Sequence, residues 1–284
     1  NWDDDDLDVI GGPGSADGQF TWPVCIIRDG AENLYVSDEA LHRITAFGRD
    51  GKFLAKWGKH GAGDGELDRP SGIAFDQDEN FFVADTMNHR VQKFTKDGRF
   101  LAKFGRQGSG DGELNMPWGV TVDEEGAVYV SDWGNHRVQK FGPDGKFIMK
   151  FGRRGSGDGE MTGPAGIAVD AHGDIYVVDR GNNRALLFDE HGRYVDRFVG
   201  DATLSKAGRR YIMANPKVLR AREMTTLEAS RRLRGPTSVR LDREGRMYIA
   251  DFGCHRIQVY KKEAYPLTPD DVFPTPKSPS LYTV

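Results

Sequence analysis

The sequence predicts an all-β fold, a single β-propeller of four-stranded blades interrupted by one helical insertion. Three observations predict it. One unit repeats in phase along the chain, each copy divides into four short runs separated by turn residues, and the chain begins with a strand-like piece that its last copy lacks.

The repeat comes first. The segments "PSGIAFDQDENFFVADTMNHRVQKFTKDGRFLAKFG" and "PWGVTVDEEGAVYVSDWGNHRVQKFGPDGKFIMKFG" align without gaps from Pro70 and Pro117, and copies begin at Pro23, Pro70, Pro117, Pro164 and Pro236. The most regular marker is an aspartate followed five positions later by an arginine: Asp38/Arg43, Asp85/Arg90, Asp132/Arg137, Asp179/Arg184 and Asp251/Arg256. Successive aspartates lie 47 residues apart three times and then 72 apart. A fixed period of this size marks a solenoid or a propeller.

Strand content chooses between the two. The second copy reads as strands at Gly72–Asp76, Asn80–Ala84, Arg90–Phe94 and Phe100–Phe104, the last two joined through an Asp-Gly turn signal. The second run is apolar almost throughout (Phe81-Phe82-Val83-Ala84, Ile175-Tyr176-Val177-Val178), as a strand covered on both faces must be. The fourth run alternates, as suits a strand nearer solvent. Blades stacked around an axis meet both demands. The 36 glycines and 13 prolines fit a chain of many turns.

The ends predict closure. "DVIGGPGSADGQFTWP" at Asp8–Pro23 matches "AKWGKHGAGDGELDRP" at Ala55–Pro70, so Leu7–Ile10 reads as a fourth strand without its preceding three. The last copy, Pro236 to Tyr260, has three strands, and the leading strand is expected to complete it beside Arg256–Tyr260. This gives five blades over residues 7–262. A sixth is the alternative; it needs about 47 residues, and the excess before the last copy is 25.

The openings "P-x-G-[IV]-[AT]", the "[IV]-Y-V-x-D" before the hairpin, the "N-H-R-[VI]-Q" after it and the "G-S-G-D-G-E" between blades resemble the NHL-repeat family. The resemblance covers Leu7 to Tyr260 apart from the insertion. It implies a propeller, commonly of six blades, so a count of five departs from the family. It also implies two enzymatic possibilities to test. Amidating lyases similar to this family hold zinc through histidines at the glycine of "P-x-G" in three blades, whereas here those places are Cys25, Gly72, Gly119, Gly166 and Ser238. Gluconolactonase-like propellers gather Glu, Asn and Asp on an axial divalent metal, and the strand openings offer no such set. No metal or cofactor is therefore expected, and a metal-dependent lyase or hydrolase stands as the alternative to a non-catalytic scaffold.

The insertion, Asp201 to Gly235, reads as helical. Thr225 and Glu228 form a capping box, Leu227 and Leu233 give an apolar side, and Gly235-Pro236 ends it. It carries nine Lys or Arg, among them Arg231, Arg232 and Arg234, against three acids. That is +6 in a chain of formal charge −4, which leaves −10 elsewhere. The basic segment keeps RNA binding open as a further alternative.

Comparing copies separates scaffold from function without homologues. The Asp/Arg pairs recur in every copy and are expected to be structural ion pairs in the fork geometry arginine favours. His42, His89, His136 and His255 precede those arginines, but Asn183 takes the place in the fourth copy, which argues against a metal ring. The "GDGE" carboxylates lack the dense spacing of a calcium loop. The positions that vary are Val24, Ser71, Trp118, Ala165 and Thr237 after the proline, and Glu39, Thr86, Trp133, Arg180 and Phe252 after the aspartate. Propeller topology puts both sets on one face. Glu39, Trp118, Trp133, Arg180 and Phe252, with Arg231, Arg232 and Arg234, are the expected binding residues, aromatics and arginines being common interface anchors.

Cys25 and Cys254 fall in the first and last copies and permit one disulfide or two free thiols. The tail, residues 263–284, is rich in proline and extended by composition. No run approaches the roughly 18 apolar residues of a membrane helix. The start shows no signal peptide, so the compartment is open, extracytoplasmic if a leader was removed. The expected function is a scaffold or assembly subunit that binds a protein partner through one propeller face, the insertion and the tail.

Overall fold

The computed structural model describes residues 9–200 and 232–261, and within them the repeat unit becomes five antiparallel sheets set blade against blade. The first blade is β1 (Pro23–Arg28), β2 (Leu34–Asp38), β3 (Arg43–Phe47) and β4 (Phe53–Trp57). The second is β5 (Pro70–Phe75), β6 (Phe81–Asp85), β7 (Arg90–Phe94) and β8 (Phe100–Phe104). The third is β9 (Pro117–Val122), β10 (Val128–Asp132), β11 (Arg137–Phe141) and β12 (Phe147–Phe151). The fourth is β13 (Pro164–Val169), β14 (Ile175–Asp179), β15 (Arg184–Phe188) and β16 (Tyr194–Phe198). The fifth has three strands among the described residues, β17 (Pro236–Leu241), β18 (Arg246–Asp251) and β19 (Arg256–Lys261). The chain is a five-bladed β-propeller.

Local chemistry sets each element. In the first four blades the second strands are buried along nearly their whole length, as their apolar runs require: Phe81 to Asp85 is buried at every position, whereas β18 alternates. Strands three and four join through a three-residue loop whose last residue is glycine with positive φ, as at Gly98 (φ 88°). The register slips beside it, between Lys93 and Phe94, as a bulged hairpin demands.

Four apolar cores hold the blades together, one between each pair of neighbours from the first to the fifth. Each uses the same positions. Ile44, Val91, Val138 and Ala185, in the third strands, are each 0% exposed against the following blade. Ile73, Val120, Ile167 and Val239, in the first strands, are at most 2% exposed against the preceding one. Among the described residues no such core joins the fifth blade to the first, where the same two positions are Ile257 and Ile26.

The expected closing strand, Leu7–Ile10, lies half outside the described residues. Val9 and Ile10 are described, and neither pairs with β19, whose printed ladder is with β18 alone. Of the expected helical insertion, residues 201–231 lie outside the description. Its end is not helical: Arg232 bridges Gly200 and Gly235 has φ 59°. The tail, residues 263–284, is outside as well. No helix among the described residues is long and apolar enough to cross a membrane.

Candidate functional site

The recurring aspartate sits at the end of each second strand, buried, with the recurring arginine opposite it in the ladder. In the second blade Asp85 accepts from Arg90 Nε (2.7 Å), Asn88 Nδ2 (2.9 Å) and Gln92 Nε2 (2.9 Å). Arg90 spends its remaining donors on the carbonyls of Ala62, Gly63 and Glu66 in the preceding inter-blade loop. The pairs Asp132/Arg137, Asp179/Arg184 and Asp251/Arg256 close in the same way at 2.8, 2.8 and 2.9 Å.

Asp38 and Arg43 do not pair, and this corrects the fifth expected ion pair. Arg43 still grips Ser15, Ala16 and Gln19 carbonyls, but its Nε is buried without a partner. The cause is two residues. Leu41 stands where Asn88 does and Thr45 where Gln92 does, so Asp38 has lost both side-chain donors that aim its counterpart at arginine. It turns instead to the backbone N–H groups of Ala40 and Leu41, each at 3.0 Å. The fourth blade lacks only the glutamine (Leu186) and the fifth only the asparagine (Cys254), and both keep their ion pairs.

The histidines have a structural task. His42, His89, His136, Asn183 and His255 all adopt left-handed backbone, φ 50–56°, closing the hairpin turn. In the first four blades the side-chain acceptor takes a backbone N–H from the next inter-blade loop, as His89 Nδ1 does from Met116 (3.0 Å), His136 Nδ1 from Gly163 (3.0 Å) and Asn183 Oδ1 from Gly235 (2.7 Å). An imidazole Nδ1 and an amide oxygen serve equally, which is why asparagine can replace histidine. Burial and Arg154 hold the His136 imidazole below its ordinary range.

The loop carboxylates are also committed. Glu66, Glu113 and Glu160 each accept the N–H of a loop glycine three residues earlier, at 2.8–2.9 Å. Asp64 and Asp111 reach Lys103 and Lys150 on the next blade, each at 2.5 Å. Among the described residues, His42, His60 and Asp68 form one cluster of potential metal ligands, Asp68 lying 3.3 Å from His42 and 3.7 Å from His60. His42 Nδ1 already accepts the Arg69 N–H at 3.1 Å, as its counterparts do, so two free ligands remain.

The axis is closed where a zinc site would need room. A Cβ on Gly119 would sit 2.3 Å from the Ala165 carbonyl, and one on Gly72 would lie 2.6 Å from that of Trp118. Glycine is required there by the approach of the next strand, and a histidine does not fit. Trp118 lies over this mouth, packed on the core between the fourth and fifth blades, and leaves a cavity of only 30 Å³. Such a space holds about one water. Toward the other end the channel opens into a 480 Å³ cavity with Ile27, Phe75 and Val122 on its wall, and Arg28 and Arg240 beside them. Cys25 is a free thiol, contacted by Arg240 Nη2 at 3.0 Å across the fifth–first seam; Cys254 is free too.

The variable residues divide into two groups. Ser71 and Thr86 are buried and bonded to each other (2.7 Å) and to the carbonyls of Trp118 and Pro117, so variation there is structural. Trp133 is half-buried over Gly163, and Glu39 faces Arg69 at 3.6 Å. Arg180, Arg232, Arg234 and Phe252 form the second group. Phe252 is 69% exposed. Gly253, next to it, donates to the Arg234 carbonyl (2.7 Å), and the Gly235 N–H bonds the turn that begins at Arg180. Among the described residues no carboxylate pairs with the guanidinium groups of these three arginines, in contrast to most basic side chains of the propeller, such as Arg184, Arg246 and Arg256. Arg231 lies outside the described residues.

Comparison with known proteins agrees with this architecture. The NHL repeat model matches residues 67–94, 114–141 and 161–184. No curated protein sequence matches the chain. Among solved structures, a gluconolactonase from Xanthomonas campestris is similar at 18% identity with TM-score 0.60, over 86% of this chain and 74% of that one. A streptogramin B lyase is similar at 13% identity with TM-score 0.56, over 86% and 70%. A nidogen/laminin complex contains a chain similar at 17% identity with TM-score 0.55, over 84% and 75%. At these identities the likeness is one of fold, shared by enzymes and by a protein complex. With its in-phase copies, the buried aspartates and arginines of its blades and the repeat model that matches three of them, the chain is a β-propeller that carries NHL repeats.

Proposed function

We propose that the chain is a binding scaffold that seats an acidic protein partner on the rim of its fourth and fifth blades. The observation that carries this reading is Phe252, 69% exposed on a rim where the backbone of Arg234 meets both its own turn and the one that begins at Arg180. An exposed ring near arginines that meet no acid among the described residues is the composition of an interface anchor. Opposite charge on the partner would supply what the described surface withholds. The likeness to a chain in a nidogen/laminin complex supports use of this fold in protein binding. The likeness to a lyase and a gluconolactonase supports the catalytic alternative, against which the crowded Gly72 and Gly119 positions weigh.

The test is affinity capture from the native source with the wild-type chain and with R180E/R234E/F252A. A protein held by the wild type, lost on the triple variant and kept by K103E/K150E supports the rim. Equal retention by the triple variant overturns it. RNA in the captured material, released with a steep dependence on salt, would replace the protein reading with the nucleic-acid one.

A further inference from the structure

The loop that joins the first blade to the second departs from its later copies at two positions. Where it has His60 and Asp68, the next loop has Gln107 and Asn115, and the one after has Arg154 and Thr162. The turn histidine is common to all three junctions, as His42, His89 and His136. Of these junctions the first alone gathers two imidazoles and a carboxylate.

The backbone fixes the three residues. His42 closes its hairpin turn with φ at 51°. His60 bridges Leu67 across the loop, and the Leu67 N–H bonds the Lys59 carbonyl at 2.9 Å. Asp68 donates its N–H to Asp85 Oδ1 at 2.6 Å, and its carbonyl accepts the Met87 N–H at 3.1 Å. So held, Asp68 places Oδ1 3.3 Å from His42 Nδ1 and Oδ2 3.7 Å from His60 Nε2. Ligands about 2.1 Å from a tetrahedral ion stand about 3.4 Å from one another. The two imidazole rings lie 4.5 Å apart, and one donor atom from each of the three residues falls within 4.8 Å of the others. The side chain of His60 is 68% exposed, so it can turn to close the remaining distance.

The electrostatics call for a cation. His42 Nδ1 accepts the Arg69 N–H at 3.1 Å, so it meets Asp68 Oδ1 as one acceptor meets another. That N–H is at the solvent-exposed edge and can pass to water when an ion takes the lone pair, adding His42 to the two ligands already free. The basic side chains beside the cluster are engaged elsewhere, Arg69 with Glu39 at 3.6 Å and Lys59 with Glu66 at 3.0 Å. Two imidazoles and one carboxylate suit zinc and its transition-metal neighbours, whereas calcium and magnesium take oxygen ligands.

We propose that His42, His60 and Asp68 bind one zinc-like divalent ion, with water completing its coordination. The ion clips the hairpin turn of the first blade to the loop that opens the second, and it stabilises the folded chain because the unfolded one does not assemble the three ligands. The proposal is independent of the rim on the fourth and fifth blades, whose residues it does not use.

The experiment titrates the tag-free chain, stripped of metal by a chelator, with zinc in a calorimeter and with cobalt(II) by visible absorption. Two variants exchange residues between junctions that already fold in this chain: H60Q/D68N gives the first junction the residues of the second, and Q107H/N115D does the reverse. The expected result is one ion per chain for wild type, none for H60Q/D68N and two for Q107H/N115D. Saturating zinc is expected to raise the thermal midpoint of wild type by roughly 2 °C or more and to leave that of H60Q/D68N unchanged. Two outcomes overturn the proposal: no zinc bound by wild type at millimolar metal, or binding by H60Q/D68N equal to that of wild type, which would put the ion on other groups.

Discussion

Leu41→Asn should stabilise the protein, because the first blade lacks a clamp that the next three have. The buried Nε of Arg43 has no partner, and an unmet buried donor costs about 1–3 kcal/mol. The fourth blade shows that the asparagine alone is enough: Asn182 bonds Asp179 at 2.8 Å and the Asp179/Arg184 pair forms although the glutamine is absent. Against the gain stands the lost burial of a half-buried leucine, about 1 kcal/mol. The net is about 1 kcal/mol in favour of the variant, or roughly 2–4 °C in thermal midpoint. The reciprocal change, N88L/Q92T, imposes the first blade's residues on the second and should cost about 3 kcal/mol, since it removes two donors to Asp85 and releases Arg90. Urea unfolding of both variants provides the measurement, with a crystal structure of L41N to read the Arg43–Asp38 distance. If L41N is no more stable than wild type and N88L/Q92T is harmless, the explanation of the broken pair is wrong.

Three further outcomes follow from the site. Gly119→His should fail to fold or lose several kcal/mol by the same assay, because its Cβ would lie 2.3 Å from the Ala165 carbonyl; a stable variant that bound more zinc than wild type would refute the closed axis. His136→Asn should be nearly neutral at pH 8 and His136→Leu clearly destabilising. The folded His136 is held below its ordinary 6.5, so the unfolded chain binds the extra proton: the stability from the neutral ring is complete above pH 6.5 and falls as pH drops through and below that value. His136→Asn should remove that slope, as stability curves at several pH values would show. Asp29 should contribute to acid unfolding. Burial raises its carboxyl, but bonds from Lys96 and Asn33 outweigh this and bring it down from 3.8 to about 2. Its contribution, about 2 kcal/mol, is therefore present above pH 3.8 and lost as pH falls toward 2, a dependence that D29N should abolish.

The propeller was legible because its signals are periodic. In-phase prolines located the first strands, and unbroken apolar runs such as Phe81–Ala84 located the second. The predicted first strand began at Gly72 and the observed one at Pro70, because proline at the start of an inner strand costs no ladder bond. The aspartate and arginine markers were read correctly in four blades. The first blade failed at Leu41 and Thr45, whose effect on Asp38 depends on which donors reach the carboxylate and not on the pair itself. Ser71 and Thr86 varied between copies and so looked free; their hydroxyls face inward, a matter of backbone approach that variation does not reveal. Of the expected binding residues, Phe252 stays exposed, whereas the two tryptophans are drawn into packing, Trp133 over Gly163 and Trp118 over the channel mouth. The bare seam was missed because matching ends suggest a partner strand without showing which sheet receives it.

Each arginine fork reaches back rather than forward. Arg90 holds carbonyls 24–28 residues earlier in the chain, and Arg137 repeats the interval one unit later. A segment leaving the ribosome is thus already present when the guanidinium that fastens it emerges, so blades can lock in order of synthesis without waiting for the carboxyl terminus. The histidine contacts run the other way, each waiting for the following loop, so a newly locked blade keeps one unfilled acceptor until its successor arrives. The molecule is in this sense a ratchet of short-range fasteners, and truncation from the amino end should undo more of it than truncation from the other.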